Sequence, residues 1–202
     1  MTPQEMQFAL AAIVPETVRM LAEHGFQSHC IEGAALLTKV LQKVGISDTQ
    51  QLTVGVKILN PAYREFVKKH GVPKNETSKT AFNHSGAAAV LLGKDAPEVP
   101  EGKWPGHLVV IISGAFGEKH ALLDLTITQA DKRDWGIHLN PLCLRVSDDF
   151  VSGRRPADFE VNGSLLSYTS YPDDHSYGDW SHFMAREDIE RAASEVVSRL
   201  GK

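Results

Sequence analysis

The 202-residue sequence contains little cysteine and no long apolar run. Its two cysteines, Cys30 and Cys143, are too few to build the disulfide framework of a small secreted domain. The longest apolar stretches, such as residues 108–112, are far shorter than the about 20 residues that cross a bilayer. The first residues also lack the charged and apolar regions of a secretory signal. These absences predict a soluble protein of the reducing cytoplasm.

The sequence also lacks a strong excess of charge of one sign. It has 21 Lys and Arg against 25 Asp and Glu, which gives a net charge of −4. This balance argues against broad electrostatic binding to nucleic acid or to an anionic membrane. No glycine-rich loop has the spacing of a phosphate cradle, and the nine histidines form no HExxH motif. We therefore expect neither a metal nor an organic cofactor, and we expect one domain over residues 1–202.

Amphipathic patterns predict helices at the N-terminus, from residue 30 onward and at the C-terminus. The first pattern predicts a helix with a kink or short break at Pro15, and a second helical stretch that ends near Gly25. CIEGAALLTKVLQKVG has apolar residues at steps of three and four, which predicts a mostly buried helix that starts at Cys30 and stops at Gly45. Residues 184–202 have one apolar face and predict a closing helix.

Runs rich in β-branched residues predict a mostly antiparallel sheet between these helices. The strand-like segments are QLTVGVKIL, GHLVVIIS, KHALLDLTI, LCLRVS and FEVNGSLLSYTSY. Asn162 and Gly163 predict a two-residue hairpin within the last segment. NPAYREFVKKHG predicts a short helix, the small-residue run 85–92 is compatible with another, and Cys143 is expected in the core. The order of helices, sheet and closing helix predicts the α+β class.

Three chemically reactive residues, Cys30, His107 and Asp124, occur at the boundaries of predicted elements. The start of a helix stabilises a thiolate through its unpaired N–H groups and the positive end of its dipole. His107 begins a strand, where it is suited to act as a fixed base. Asp124 lies near the end of the next strand, and antiparallel pairing can bring its carboxylate to the far nitrogen of His107. Together they predict a catalytic triad; a buried thiol, an edge histidine and a turn-capping carboxylate are the structural alternatives.

With these residues in this order, the chain resembles the papain-like cysteine enzyme superfamily in its broad sense, particularly its transglutaminase-like and arylamine N-acetyltransferase-like branches. The matching segments are CIEGAALLTKVLQKVGI opened by Cys30, GHLVVII with His107, and ALLDLT with Asp124. They cover roughly residues 20–130. The resemblance implies a papain-like fold, in which a central helix that carries the nucleophile packs on an antiparallel sheet that supplies the histidine and the carboxylate.

The resemblance also implies a cysteine-dependent acyl-transfer enzyme with a thioester intermediate and a peptide, amide or acyl substrate. Transfer to water describes a peptidase or amidase, and transfer to an amine describes an acyltransferase. The sequence leaves this choice open, along with the oligomeric state. The alternative function is that of a catalytically inactive papain-like domain that binds a protein or peptide.

Several other residues have open roles. The backbone N–H of Cys30 is the better candidate for an oxyanion donor, and the amide of Gln27 is a weaker one. Gln129, five residues after Asp124, is expected to cap a turn rather than to orient a triad member. Residues 173–182 combine acidic, histidine and aromatic side chains. We expect an ordinary polar surface loop there, with the lining of a substrate cleft or a cation site as alternatives.

Overall fold

A computed structural model describes residues 1–26, 29–96, 104–179 and 186–201. In these ranges the chain has the predicted α+β class and closing helix. The α-helices are α1 (Pro3–Glu23), α2 (Cys30–Lys43), α3 (Pro61–His70), α4 (Glu76–His84), α5 (Asp148–Val151) and α6 (Arg186–Leu200). The strands are β1 (Thr49–Leu59), β2 (Ala89–Gly93), β3 (His107–Ile112), β4 (His120–Asp124), β5 (Leu142–Val146), β6 (Ala157–Val161) and β7 (Ser164–Tyr171). Short 3-10 helices cover Ile127–Ala130, Arg133–Trp135 and Ser176–Asp179. No described helix is both long and apolar enough to cross a membrane.

The strands form one antiparallel sheet in the order β5-β4-β3-β1-β7-β6, with β2 paired to β1 beside this path. Residues 49–54 of β1 pair with β3, and residues 55–59 pair with β2. The opposite side of β1 pairs with β7. The strands β3 and β2 therefore pair with successive parts of the same edge of β1. The point where one ends and the other begins lies at His107, which is opposite Val54.

The sheet is buried on both faces where β3 runs through it. Helices α1, α2 and α6 pack on one face, where they meet Leu108 and Val110 of β3. The alternate residues Val109 and Ile111 lie in a second apolar cluster with side chains of β1 and β7. Because successive side chains of a strand point to opposite faces, a strand covered on both sides needs a continuous apolar run. This explains the sequence of β3, whose six residues are all buried.

Helix α1 continues through Pro15 as one helix, so the two helical stretches predicted from the sequence are joined. Buried residues lie on both sides of the proline, which is itself exposed: Ile13 precedes it and Thr17 follows it. The Thr17 hydroxyl donates a hydrogen bond to the Ile13 carbonyl at 2.8 Å. An interior proline costs a helix about 3 kcal/mol. Packing of the continuous buried stripe against α2 and α6 outweighs this cost.

The structure also settles one open possibility and overturns one prediction. The run 85–92 is not helical, because α4 ends at His84 and the chain then enters β2, which pairs with β1. Cys143 is exposed rather than in the core. It lies on β5, at one end of the six-strand path, and its neighbours Leu142 and Leu144 point to the second apolar cluster. Because successive side chains of a strand point to opposite faces, Cys143 points to the other face of the sheet, into a groove beside α1.

The predicted hairpin between β6 and β7 is confirmed. Asn162 and Gly163 have φ values of 49° and 80°, and Val161 pairs with Ser164 across the turn. Two consecutive positive φ angles are what a two-residue turn with the twist of the flanking strands requires. The turn sets the register of β7, which then pairs with β1 so that Tyr168 lies opposite Val56.

Candidate active site

Cys30 is the first residue of α2, and it is half-buried. At this position the first N–H groups of the helix have no carbonyl partner within the helix, so they present positive charge to the thiol. Phe26, Trp104 and Tyr177 pack partly buried against the same apolar cluster as Cys30. The thiol is therefore at a polar helix end that borders an apolar cluster.

The side chain of Cys30 lies close enough to the ring of His107 to help raise the pKa of that ring. His107 begins β3 and is 1% exposed. Its Nε2 atom lies 2.8 Å from Oδ2 of Asp124, which is itself fully buried at the end of β4. The structure thus brings together all three residues of the triad that the sequence predicts, in the order thiol, ring, carboxylate.

Asp124 has two further hydrogen-bond partners. The hydroxyl of Tyr168, a buried residue of β7, donates to Oδ2 at 3.0 Å. The backbone N–H of Thr126 donates to Oδ1 at 3.2 Å. With the His107 ring, three donors from three parts of the chain meet at one carboxylate. They fix its orientation and compensate the burial of its negative charge.

The second ring nitrogen of His107 also has an amide partner. Nε2 of Gln129 lies 3.0 Å from Nδ1 of His107. The prediction that Gln129 caps a turn is therefore wrong, because its side chain reaches the triad instead. Gln129 lies in the 3-10 helix Ile127–Ala130, and the residues at both ends of that helix are buried. This anchoring aims the amide at the ring.

The start of α2 is held close to the segment that follows Asp124. Gly33, one turn after Cys30, faces the methyl group of Thr126. A Cβ atom added at Gly33 would lie 3.0 Å from Thr126 Cγ2, which is closer than an ordinary contact. The absence of a side chain at Gly33 therefore lets α2 approach the segment after Asp124. In that segment, the Thr126 backbone contacts Asp124 and the Gln129 side chain contacts His107.

The surroundings shift the acid–base properties of the site. Burial lowers the pKa of His107, but the charge and hydrogen bond of Asp124 and the contact with Cys30 together raise it to about 10. Burial, and then the charge of Asp124, raise the pKa of Tyr168 well above its usual value. The His107 ring is therefore protonated at neutral pH, while Tyr168 remains a neutral donor.

The residues before His107 form a wall beside the site. The ring of Trp104 lies against the backbone of Gly106, so close that a Cβ atom there would be 2.2 Å from the indole. Trp104 Nε1 donates to Ser176 Oγ at 2.9 Å, and its ring meets Tyr177 edge-on at 6.0 Å. Glycine at position 106 is therefore required for this close approach.

Residues 173–179 form a surface segment with exposed residues, and side chains within it tie it to this wall. The Ser176 hydroxyl donates to Asp174, whose carboxylate also binds Lys94 at 2.6 Å. Thr53 donates to the Asp174 carbonyl at 2.7 Å. Among the described residues, no group of three or more histidine, cysteine, aspartate and glutamate side chains could hold a metal ion. The rest of the polar segment, residues 180–182, lies outside the described residues.

Sequence reasoning and structure differ over the residues around the triad. Gln27, the weaker oxyanion candidate, lies outside the described residues. The sequence alone does not indicate Tyr168, and it favours a turn-capping role for Gln129. The spacing of Gln129 from Asp124 was a signal, since a short turn after a strand can return a side chain to that strand. Tyr168 had no local signal, because its contact with Asp124 spans 44 residues.

The chain matches no protein-family model, no curated protein and no solved structure. What points to a function is the geometry of the site itself.

Proposed function

We propose that the protein is a cysteine-dependent acyl-transfer enzyme with a papain-like fold. Cys30 is the nucleophile, His107 is the acid and base, and Asp124 orients the ring. One observation supports this most: the contact chain from the Cys30 thiol through the His107 ring to the Asp124 carboxylate, with the ring and the carboxylate buried. A thiol, an imidazole and a carboxylate in this order are the groups that covalent acyl transfer uses.

The arrangement of elements around the triad supports the papain-like fold. The nucleophile begins a helix, α2, that packs on the sheet face containing Leu108 of β3. The histidine and the carboxylate come from the neighbouring antiparallel strands β3 and β4. This is the arrangement that the resemblance implies.

In the first half of the reaction, the Cys30 thiolate attacks the carbonyl carbon of an amide, ester or thioester. A bond from sulfur to carbon forms, and the carbonyl electron pair moves to oxygen. When the oxyanion collapses, the bond to the leaving group breaks, and the proton on Nδ1 of His107 goes to that group. The products are a thioester on Cys30 and a neutral imidazole.

In the second half, water or an amine attacks the thioester. Nδ1 of His107 accepts its proton, a new bond to the acyl carbon forms, and the electron pair of the broken carbon–sulfur bond returns to Cys30. The backbone N–H of Cys30 is the expected donor to the oxyanion in both halves, with the Gln27 amide as a weaker second candidate. The chemistry requires no metal or organic cofactor. Water as acceptor describes a peptidase or amidase, and an amine describes an acyltransferase.

Site-resolved alkylation with iodoacetamide tests the nucleophile. Cys143 is a natural control: no triad surrounds it, and although the residue is exposed, the groove beside α1 partly shields its thiol from water and raises the pKa of the thiol. We measure both alkylation rates between about pH 5 and pH 9, in the native and in the urea-denatured protein. We expect Cys30 to react faster in the native than in the denatured protein at the acidic end of this range. Cys143 should show no such advantage.

Variants connect this reactivity to the triad. His107→Ala and Asp124→Asn should remove the advantage of Cys30, whereas Cys143→Ser should leave it unchanged. Circular dichroism spectra establish that each variant is folded. Should His107→Ala fail to fold, Asp124→Asn provides the same comparison.

Intact-mass measurement after incubation with p-nitrophenyl esters, acyl thioesters and peptide amides tests the reaction itself. We expect an acyl adduct in the wild type and in Cys143→Ser, and none in Cys30→Ala. If Cys30 alkylates no faster in the native protein than in the denatured one, and no substrate leaves an adduct, the enzyme proposal is wrong. The inactive binding domain then becomes the better explanation of the fold.

A further inference from the structure

The two nitrogens of the His107 ring have different partners. Nε2 is held by Asp124 at 2.8 Å, so its proton stays between the ring and the carboxylate. Nδ1 is the nitrogen that remains for exchange of a proton with Cys30. Yet Nδ1 also has the amide of Gln129 at 3.0 Å. The Gln129 amide therefore contacts the same nitrogen that the proposed reaction uses for proton exchange.

A carboxamide can bond to Nδ1 in either protonation state of the ring. Its N–H donates to the lone pair of a neutral ring, and its carbonyl oxygen accepts from a protonated one. Rotation of the amide about its last torsion exchanges the two. An aliphatic side chain has neither a donor nor an acceptor, and an ionised carboxylate has only acceptors. The chain therefore has, at this position, a group suited to a ring that gains and loses a proton.

The buried ring needs such a partner during the proposed reaction. Once Cys30 is acylated and the proton has left with the leaving group, the sulfur no longer carries the negative charge that attracts Nδ1. The neutral Nδ1 then has a lone pair in a ring that is 1% exposed. A buried acceptor without a donor is unfavourable.

We propose that Gln129 is a positioning residue that keeps Nδ1 of His107 hydrogen-bonded whenever Cys30 does not. Gln129 stabilises the neutral ring in the acyl-enzyme and holds its plane in the orientation set by Asp124. The incoming acceptor then displaces the amide from Nδ1. This inference rests on the proposed function, but the contact that carries it exists in the resting protein.

Nitrogen-15 NMR of the His107 ring tests this role without any turnover. In the neutral wild-type ring we expect the tautomer with the proton on Nε2 and an unprotonated, hydrogen-bonded Nδ1. Gln129→Met keeps the length of the side chain but removes the donor, so it disfavours the neutral ring. The midpoint of ring deprotonation should rise by about 0.4 to 1 pH unit, the equivalent of one neutral hydrogen bond.

Two further variants make the test specific. In Gln129→Glu, the carboxylate can only accept a hydrogen bond at neutral pH. It should therefore raise the midpoint of His107 deprotonation more than Gln129→Met does. We also expect slower alkylation of Cys30 in this variant. Thr128→Ala, a change on the same 3-10 helix, should leave the midpoint unchanged. A purely structural role for Gln129 predicts a lower melting temperature in Gln129→Met with no change of midpoint, and that result overturns the inference.

The outcomes separate this inference from the proposed function. An unchanged midpoint in Gln129→Met, together with a normal acyl adduct on Cys30, refutes the role of Gln129 and leaves the enzyme proposal standing. A raised midpoint in a protein whose Cys30 never forms an adduct supports the positioning of the ring by Gln129 and refutes the enzyme proposal.

Discussion

The Asp124 carboxylate accepts hydrogen bonds from a ring on β3, a phenol on β7 and the backbone N–H of Thr126, which follows β4. Oδ2 receives both side chains, from His107 and from Tyr168. Each donor withdraws negative charge from the oxygen, so Tyr168 tempers the attraction between the carboxylate and the imidazolium. The Tyr168 hydroxyl can therefore influence the Cys30 thiol indirectly, through the Asp124 carboxylate and the His107 ring.

Tyr168→Phe isolates this influence, because it removes one oxygen and keeps the ring. We expect the free energy of unfolding to fall by about 1 to 3 kcal/mol, since a buried carboxylate loses a donor. The deprotonation midpoint of His107 should rise, because Oδ2 then carries more negative charge. Urea unfolding and nitrogen-15 NMR measure the two effects.

Tyr171→Phe is the matched control for this change. Tyr171 is on the same strand and donates to a carboxylate, Asp95, at 3.3 Å, but it is partly exposed and outside the triad. Its loss should alter stability by less than about 0.5 kcal/mol and leave the His107 midpoint unchanged. Equal effects of the two substitutions would contradict a special role for Tyr168.

Among the elements, the junction of β2 and β3 determines where His107 lies. Gly93 ends β2 with a φ of 64°, and its backbone approaches the start of β3. A Cβ atom at this position would lie 2.4 Å from the Val54 carbonyl oxygen and 2.7 Å from the His107 nitrogen. Both neighbours are backbone atoms, which cannot move aside without a shift of the strand.

Gly93→Ala therefore strains the junction in two ways. The positive φ alone costs about 1 to 2 kcal/mol, and the steric overlap adds about 1 to 3 kcal/mol. Gly86→Ala is the control, because Gly86 has a φ of 72° but no atom within 4 Å of the added carbon. We expect Gly93→Ala to lower the free energy of unfolding more than Gly86→Ala does, and to slow Cys30 alkylation as well. If the two variants unfold at the same urea concentration, the close approach at Gly93 does not constrain His107.

The elements that position Cys30, His107 and Asp124 were predictable because their signals are local. Helix α2 has its apolar stripe within 14 residues, β3 is one apolar run, and the hairpin after β6 follows from two adjacent residues. These patterns reflect periodicity and backbone preferences, which a short window of sequence contains. They were sufficient to predict that the ring and the carboxylate lie on neighbouring strands.

The remaining features depend on contacts between distant segments. β2 is a strand because β1 pairs with it, although the small-residue run is compatible with a helix. Helix α1 continues through Pro15 because its packing outweighs a local penalty. The bond of Tyr168 to Asp124 requires the register of three strand pairings at once, β4 with β3, β3 with β1 and β1 with β7. Such information is distributed over the chain, so no local pattern contains it.

At the scale of the whole molecule, buried charge couples stability to pH. The pKa of His107 is about 10 in the folded protein and 6.5 in an unperturbed histidine. A raised pKa means that the protonated ring stabilises the fold fully below pH 6.5, and that this contribution is lost as the pH rises through about 10. The buried Tyr168, whose pKa is raised as well, adds to the loss only at the alkaline end, because a tyrosine in the unfolded chain ionises near pH 10.

We therefore expect the free energy of unfolding to decrease steadily between about pH 6.5 and pH 10. Urea unfolding at intervals of pH measures this slope. Asp124→Asn should reduce the slope, because it removes the charge that raises the pKa of His107. His84→Gln changes an exposed histidine and should preserve the slope. A wild-type stability that stays level over this range would show that the folded ring is not held in its protonated form.

The groups that meet at Asp124 belong to β3, β4 and β7, and the thiol comes from α2. Loops of very different length must therefore close before the nucleophile acquires its partners, and the last strand to join is made late during synthesis. A nascent chain that still lacks β7 carries Cys30 and His107 without the Tyr168 donor to Asp124. Under the proposed function, Cys30 would gain its full set of partners only after β7 has joined the sheet.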